Sequence, residues 1–357
     1  MGSVGRIILI VVVLVLVAAG AGYFLGPQTA SRTQTLEVAR PAPTVLARLA
    51  STPVGSTVVE GVTIAEAASV EGDTVTAPVA FADGATGRVV YTVTPNGEGS
   101  NVQVKLEQDL GANPLDRIQA FTGGDVAPLM ATAATALQTD LDSLPNASFS
   151  GLQYSVQQVE ARPFFYAENC QDSSPETITN LLSEAATVIP TSMRTYRLTA
   201  TGPLTAVEPR VVAGRYCFQI GYPFSGRAPT ATGLYAKVGQ TPGGTVLRVV
   251  YTGDEAGVMN AVYNPMDALL AAAHLDNPTT PDDDWTTYEV YNDDPTQAGG
   301  SRNREIFYVV QGDISALTRI SPPTEAAPVP PPAQPADAAT PPATTPPAAT
   351  PAPATTP

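Results

Sequence analysis

The side chains best suited to chemistry gather near residue 290. Trp285, Thr287, Glu289 and Tyr291 are spaced two apart, so in a strand they share one face and leave Thr286, Tyr288 and Val290 on the other. A carboxylate between two aromatic rings suits a flat lipophilic cation, because the rings supply apolar and cation–π contact while the acid neutralises the charge. The competing arrangement is a carboxylate at a strand end, exposed or paired with Arg302 or Arg304, its aromatic neighbours packed as core. Glu289, Trp285 and Tyr291 are the candidate ligand-binding residues.

Other chemistry is scarce. The chain holds one His and two Cys. A single imidazole excludes zinc sites that need two, and two thiols cannot complete a finger or ribbon. A Ser-His-Asp triad would have to use His274, yet no G-x-S-x-G sequence partners it. His274 ends the apolar run Ala-Ala-Ala-His-Leu, where a helix C-terminus would favour its charge and a structural role. Asp282-Asp283-Asp284 and Asp293-Asp294 lack the spacing of a calcium loop, so no metal and no cofactor are expected. Cys170 and Cys217 are a disulfide if the first and third strands of their module come within reach, or two buried thiols if not.

Charge narrows the partners further. The 357 residues carry 18 basic and 33 acidic side chains, net −15, and residues 27–320 account for −14. A polyanion is repelled by nucleic-acid phosphate and by anionic lipid, so nucleic acid is not an expected partner.

Periodicity supplies the elements that would position these residues. In the first half, 33–39 alternates as a strand, 41–50 suits a short amphipathic helix, and 57–64, 73–81, 88–94 and 101–106 read as strands joined by Asp-Gly and Asn-Gly turns. Leu129, Met130, Ala133, Leu137, Leu141 and Leu144 give 125–144 helical spacing. The cluster Leu144-Pro145-Asn146-Ala147-Ser148 marks a boundary. Beyond it, strand 152–167, helix 174–189 and strands 193–200 and 211–220 are followed by strand 245–251, helix 256–275 and strands 285–291 and 304–310. Two successive strand-helix-strand-strand units predict an internal duplication with a cleft between the copies.

Two resemblances follow from these residues. Residues 32–144, with one early helix, an antiparallel meander, the phrase Asp109-Leu110-Gly111-Ala112-Asn113-Pro114-Leu115-Asp116-Arg117 and a long closing helix, resemble the START-like, polyketide-cyclase-like (SRPBCC) helix-grip superfamily. That resemblance implies an apolar cavity between sheet and long helix, or a packed core where the cavity is lost. Residues 149–312 resemble the GyrI-like effector-binding domain. The phrases that carry it are Gly202-Pro203, Ile220-Gly221-Tyr222-Pro223-Phe224, Thr241-Pro242-Gly243-Gly244-Thr245, Tyr251-Thr252-Gly253, and Trp285 with Tyr288-Glu289-Val290-Tyr291-Asn292-Asp293-Asp294-Pro295. The chain lacks that family's DNA-binding helix-turn-helix, so the resemblance implies ligand binding at Glu289 without transcriptional control. It also leaves open hydrolysis of small electrophiles, with Glu289 as general base.

The ends complete the organisation. Residues 7–26 are twenty uncharged residues, enough to cross a hydrocarbon layer of about 30 Å, with only Arg6 and the amino terminus before them. Residues 321–357 hold 14 prolines in 37 positions and no aromatic residue, which predicts a semi-stiff disordered tail. The expected whole is α+β: a cytoplasmic tail (1–6), a transmembrane anchor (7–26), a helix-grip domain (32–144), a duplicated effector-binding domain (149–312) and the Pro/Ala/Thr-rich tail (321–357). The expected protein sits in a bacterial inner membrane with its domains in the periplasm, or is secreted after signal cleavage at Ala19-Gly20-Ala21. Its expected activity is binding an amphipathic or cationic small molecule as a sensor, scavenger or carrier. A non-catalytic envelope scaffold, with a partner engaged through the tail, is the other class.

Overall fold

The computed structural model describes residues 13, 17, 28–111, 126–171, 174–212, 215–232, 236–275, 286–293 and 302–324. The fold is α+β. Its first part comprises β1 (Thr29–Val38), α1 (Ala42–Ala50), β2 (Thr57–Val59), β3 (Val62–Ile64), β4 (Ser69–Glu71), β5 (Thr74–Phe81), β6 (Thr86–Asn96), β7 (Gly99–Asp109) and α2 (Val126–Asp142). The strands form one antiparallel sheet in the order β1-β7-β6-β5-β3-β2, with β4 on β5. In β5 the alternation is strict: Val75, Ala77, Val79 and Phe81 are buried between half-buried neighbours. Those side chains share a core with Val45 and Leu49 of α1 and with Met130, Ala134 and Leu141 of α2. The strand expected over 57–64 is instead a hairpin, because Gly61 takes φ +82, a left-handed conformation that reverses the chain.

The second part comprises β8 (Ser155–Val159), β9 (Pro163–Gln171), α3 (Pro175–Thr195), β10 (Thr199–Ala200), β11 (Leu204–Val212), β12 (Arg215–Ser225), β13 (Lys237–Gln240), β14 (Gly244–Gly253), a π turn (Met259–Tyr263), α4 (Asn264–Ala272), β15 (Thr287–Tyr291), β16 (Arg302–Val310) and α5 (Ser315–Ile320). The sheet order β13-β9-β12-β11-β15-β16-β14-β8 reads alike from either end. Each half holds the strand before a helix and the two long strands after it, and each run's short leading strand edges the opposite half. β8 and β9 are six strand positions apart, as are β13 and β14. Six spacings of about 4.8 Å make about 29 Å along a flat sheet, whereas four residues reach at most about 14 Å. The sheet must therefore curl until the linkers 160–162 and 241–243 can bridge its ends. The two linkers touch: Thr241 N donates to Arg162 O (2.9 Å), and Arg162 N donates to Thr241 Oγ1 (3.0 Å). A Cβ on Gly243 would lie 2.7 Å from Ala161 N, so only glycine permits this crossing.

Several expected boundaries move. The strand expected over 152–167 is cut at 160–162 by that linker. The strand expected over 211–220 is the hairpin of β11 and β12, its turn at 213–214 outside the described residues. The strand expected over 193–200 shrinks to Thr199–Ala200, because α3 continues to Thr195. Leu182, Ala185, Ile189 and Met193 extend one buried stripe, and packing that stripe outweighs the local strand propensity. The helix then stops where Arg197 adopts φ +58 and Leu198 N bonds Met193 O at 2.9 Å. The helix expected over 256–275 divides into the π turn and α4.

The two parts meet through α1 and α4. Arg48 Nη1 donates to Ala271 O at 2.8 Å, Ser51 Oγ donates to Ala272 O, and the His274 ring bonds Arg48 O at 3.2 Å. His274 thus closes α4 in a left-handed conformation, φ +54. Among the described residues no helix is long and apolar enough to cross a membrane. The anchor expected over 7–26 lies outside them except for Val13 and Val17, and so does the tail from 325 onward. The first residues after α5 are docked, with Thr324 N donating to Tyr154 O at 2.8 Å.

Candidate functional site

β15 lies at the middle of the nine-stranded sheet, paired to β11 on one side and β16 on the other. That register sets Tyr291 opposite Arg304 and Glu289 opposite Ile306. Glu289 and Tyr291 point to the face covered by α3 and are 3% exposed each. Trp285 lies outside the described residues.

Glu289 is satisfied from three directions. Its Oε1 accepts from Tyr263 Oη at 2.7 Å, and its Oε2 accepts from Tyr291 Oη and from Arg304 Nη1 at 2.8 Å. Arg304 is wholly buried and also reaches both oxygens of Glu255, at 3.0 and 2.9 Å. Its guanidinium carbon lies 5.4 Å from the Tyr251 ring centroid and 5.5 Å from that of Tyr291. Of the two arrangements open at the sequence level, Glu289 adopts the ion pair, and Arg304 occupies the cationic place beside the aromatic rings.

Electrostatics follow from this packing. Burial opposes the charge on Arg304, but Glu289, Tyr291 and Glu255 outweigh it and hold the guanidinium protonated more firmly than usual. Burial first, then the charges of Glu289 and Glu255, pushes the Tyr291 phenol well above its ordinary range, so it stays a donor to Glu289. Two carboxylates, Glu289 and Glu255, contact the single guanidinium of Arg304. An apolar wall adjoins it, formed by Ile178, Leu181 and Leu182 of α3 with Ala206, Phe218 and Ile220 of the sheet. The space between encloses about 10 Å³, room for about one water.

Sequence spacing missed Glu255 and Tyr263. They sit in the loop and π turn after β14, 34 and 26 residues before Glu289, where no periodic pattern ties them to the strand. Cys170 and Cys217 are cross-strand partners on β9 and β12 and are joined by a disulfide, with Cα atoms 3.9 Å apart. Among the described residues no three His, Cys, Asp or Glu side chains group to hold a metal. Asp282, Asp283, Asp284 and Asp294 lie outside those residues, while Asp293 accepts from Asn303 N.

The first part holds a roomier cavity, about 250 Å³, between α2 and the sheet. Leu49, Val104 and Leu137 give it an apolar side, and Arg48, Asp140 and His274 a polar end. Arg48 grips Asp140 bidentately, Nη2 to Oδ1 at 2.6 Å and Nε to Oδ2 at 3.1 Å. Tyr91 also lines this space, is 6% exposed, and makes no side-chain hydrogen bond among the described residues. Burial, then the Asp140 charge, raises its phenol far above the ordinary value.

No protein-family model matches the chain, and no curated protein matches it. Among solved structures it is similar to a hydrolase from Listeria innocua, with 13% identity over 43% of this chain and 89% of that one and a TM-score of 0.29. It is also similar to an uncharacterized conserved protein from Listeria innocua, with 11% identity over 50% of this chain and 98% of that one and a TM-score of 0.32. The di-domain ARO/CYC BexL from the BE-7585A biosynthetic pathway is similar over 79% of this chain and 85% of its own, at 13% identity and a TM-score of 0.23. Likenesses of this size carry no argument about activity.

Proposed function

We propose that the protein binds an amphipathic, cationic small molecule in the cleft at Glu289, as a membrane-tethered sensor, scavenger or carrier. The observation that carries this reading is the buried acid Glu289, which with Glu255 shares the guanidinium of Arg304 between aromatic rings and beside an apolar wall. Burying a carboxylate costs desolvation, and an incoming cation beside Glu289 offsets part of that cost. Tyr291 and Tyr251 already hold a guanidinium by their ring faces, and the same faces suit a delocalised organic cation. With about 10 Å³ of free space, the ligand must move the α3 wall outward, so binding selects an opened conformation. The resemblance of residues 149–312 to the GyrI-like domain supports Glu289 in this role, and the apolar run 7–26 supports the tether.

The test is titration of the full chain in mild detergent with the dye cation rhodamine 6G, followed by fluorescence polarisation. Saturable binding that weakens at least about ten-fold in Glu289→Gln is expected. Tyr291→Phe, which keeps the ring, should weaken it less. Equal affinity in wild type and Glu289→Gln, or no saturation in wild type, overturns the assignment. Carbonate washing of membranes from expressing cells tests the tether: the chain should stay in the pellet.

A second reading is favoured by Tyr91. A phenol with no hydrogen-bond partner among the described residues, facing about 250 Å³, is arranged to donate to an acceptor on an apolar guest. Loss of guest-induced thermal stabilisation in Tyr91→Phe, with Glu289→Gln unaffected, would assign ligand binding to this cavity instead.

A further inference from the structure

The face of the nine-stranded sheet that carries no helix among the described residues holds a separate, open-mouthed pocket of about 290 Å³, where the sheet curls beneath the crossing linkers. β11, β15 and β16 supply its floor through Thr205, Tyr288, Val290 and Phe307, and the linkers supply Glu160, Arg162 and Thr241. Tyr288 and Phe307 are cross-strand partners whose rings stack at 4.5 Å with 5° between planes. Stacking fixes the Tyr288 ring, so its hydroxyl is held in one place. Tyr288 is 6% exposed, and its hydroxyl makes no hydrogen bond among the described residues.

The hydroxyl faces the pocket and is open to a hydrogen-bonding acceptor there. The charges nearby indicate what that is. Glu305 is engaged by Arg248, Nε to Oε2 at 2.6 Å, and by Asn292. Arg162 has no carboxylate partner among the described residues, and its guanidinium lies over Gly202. Burial raises the Tyr288 phenol to about 12, with Arg162 and Glu305 acting on it in opposite directions. The phenol is thus a protonated donor at any physiological pH, with a cation beside it. Glu160, the remaining charge, sits on the same linker as Arg162, and both residues are exposed.

We infer that this cavity is a second ligand site, for a small organic carboxylate whose anionic oxygens meet Tyr288 Oη and Arg162 and whose apolar body lies against Phe307, Val290 and Val159. The site is independent of the reading given for Glu289, since it opens on the opposite face and takes the opposite charge. A cavity of this size accommodates a two-ring acid rather than a long lipid.

The probe is 2-naphthoate, titrated calorimetrically into the full chain, with neutral 2-naphthylmethanol as comparison. Naphthoate should bind, and Tyr288→Phe and Arg162→Gln should each weaken it about ten-fold. The neutral alcohol should bind about ten-fold more weakly than the acid. Tyr288→Phe keeps the stacked ring and removes no hydrogen bond to a described residue, so its melting temperature should equal that of wild type. Glu289→Gln should leave naphthoate binding unchanged. Absence of naphthoate binding at about 1 mM, equal affinity for acid and alcohol, or unaltered affinity in both Tyr288→Phe and Arg162→Gln overturns the inference.

Discussion

Replacing Arg304 with Met tests the central ion network most directly. Arg304 is wholly buried, and Met keeps an unbranched apolar stem while removing every donor. The change removes the one nitrogen, Nη1, that meets Glu289 at 2.8 Å and the two oxygens of Glu255 at 2.9 and 3.0 Å, leaving two carboxylates beside an apolar pocket. Breaking a buried pair from one side costs about 3–5 kcal/mol, mainly because the stranded charge keeps its desolvation penalty. Against a typical stability of about 5–15 kcal/mol, that shift is large in urea unfolding followed by circular dichroism. Pairing it with Glu289→Gln separates the causes. If the loss comes from stranded charge, the double variant should recover about 2 kcal/mol or more of the summed single losses. Lys237–Glu168, with side chains 54% and 21% exposed, supplies the contrast, and Lys237→Met should cost no more than about 1 kcal/mol. Additive losses in the cycle, or an Arg304→Met cost as small as that of Lys237→Met, would refute the account of Glu289 as a buried acid held by Arg304.

Three further outcomes follow from other elements. Burial tends to raise the Glu107 carboxyl, but hydrogen bonds and charge from Lys105 and Arg88 outweigh it and hold the group below its ordinary value. Its contribution is therefore complete above the unfolded value near pH 4.3 and is lost as pH falls through the lower folded one, so Glu107→Gln should flatten the acid limb of stability; parallel limbs would contradict this. The Cys170–Cys217 disulfide closes a loop with a sequence separation of 47. Replacing both with Ser should lower stability by about 2–4 kcal/mol, and alkylation followed by mass measurement should find no free thiol in the wild-type chain. Gly243→Val drives a side chain into the backbone of the facing linker, because any Cβ at this position falls 2.7 Å from Ala161 N; it should cost at least about 2 kcal/mol, and a wild-type melting temperature would count against the linker crossing.

Local physics made much of this readable. β5 and β6 follow a two-residue alternation because one face is buried, and the signal survives without knowledge of the neighbours. Strand ends were less legible where a turn sits inside an apolar run. The reversal at Gly61 and the crossings at 160–162 and 241–243 are set by a backbone angle and by contact between distant linkers, and neither leaves a periodic trace. α3 outran its expected end because Met193 has a core to meet, which propensity does not register.

The amino-acid order by itself determined the class of chemistry. One His, two Cys and a large acidic surplus argue against zinc sites that need two imidazoles, ordinary triads and nucleic acid as a partner, and period-two spacing set Glu289 and Tyr291 on one face. Only the tertiary structure decided which cation meets that acid. The choice between Arg302, Arg304 and solvent depends on the register of β15 against β16, and on Glu255 and Tyr263 arriving from a separate loop and turn. Register is a property of pairing energies summed over whole strands, so no short stretch of sequence encodes it. The same holds for the cavity beneath the linkers, which exists because a sheet too wide for its connections had to curl.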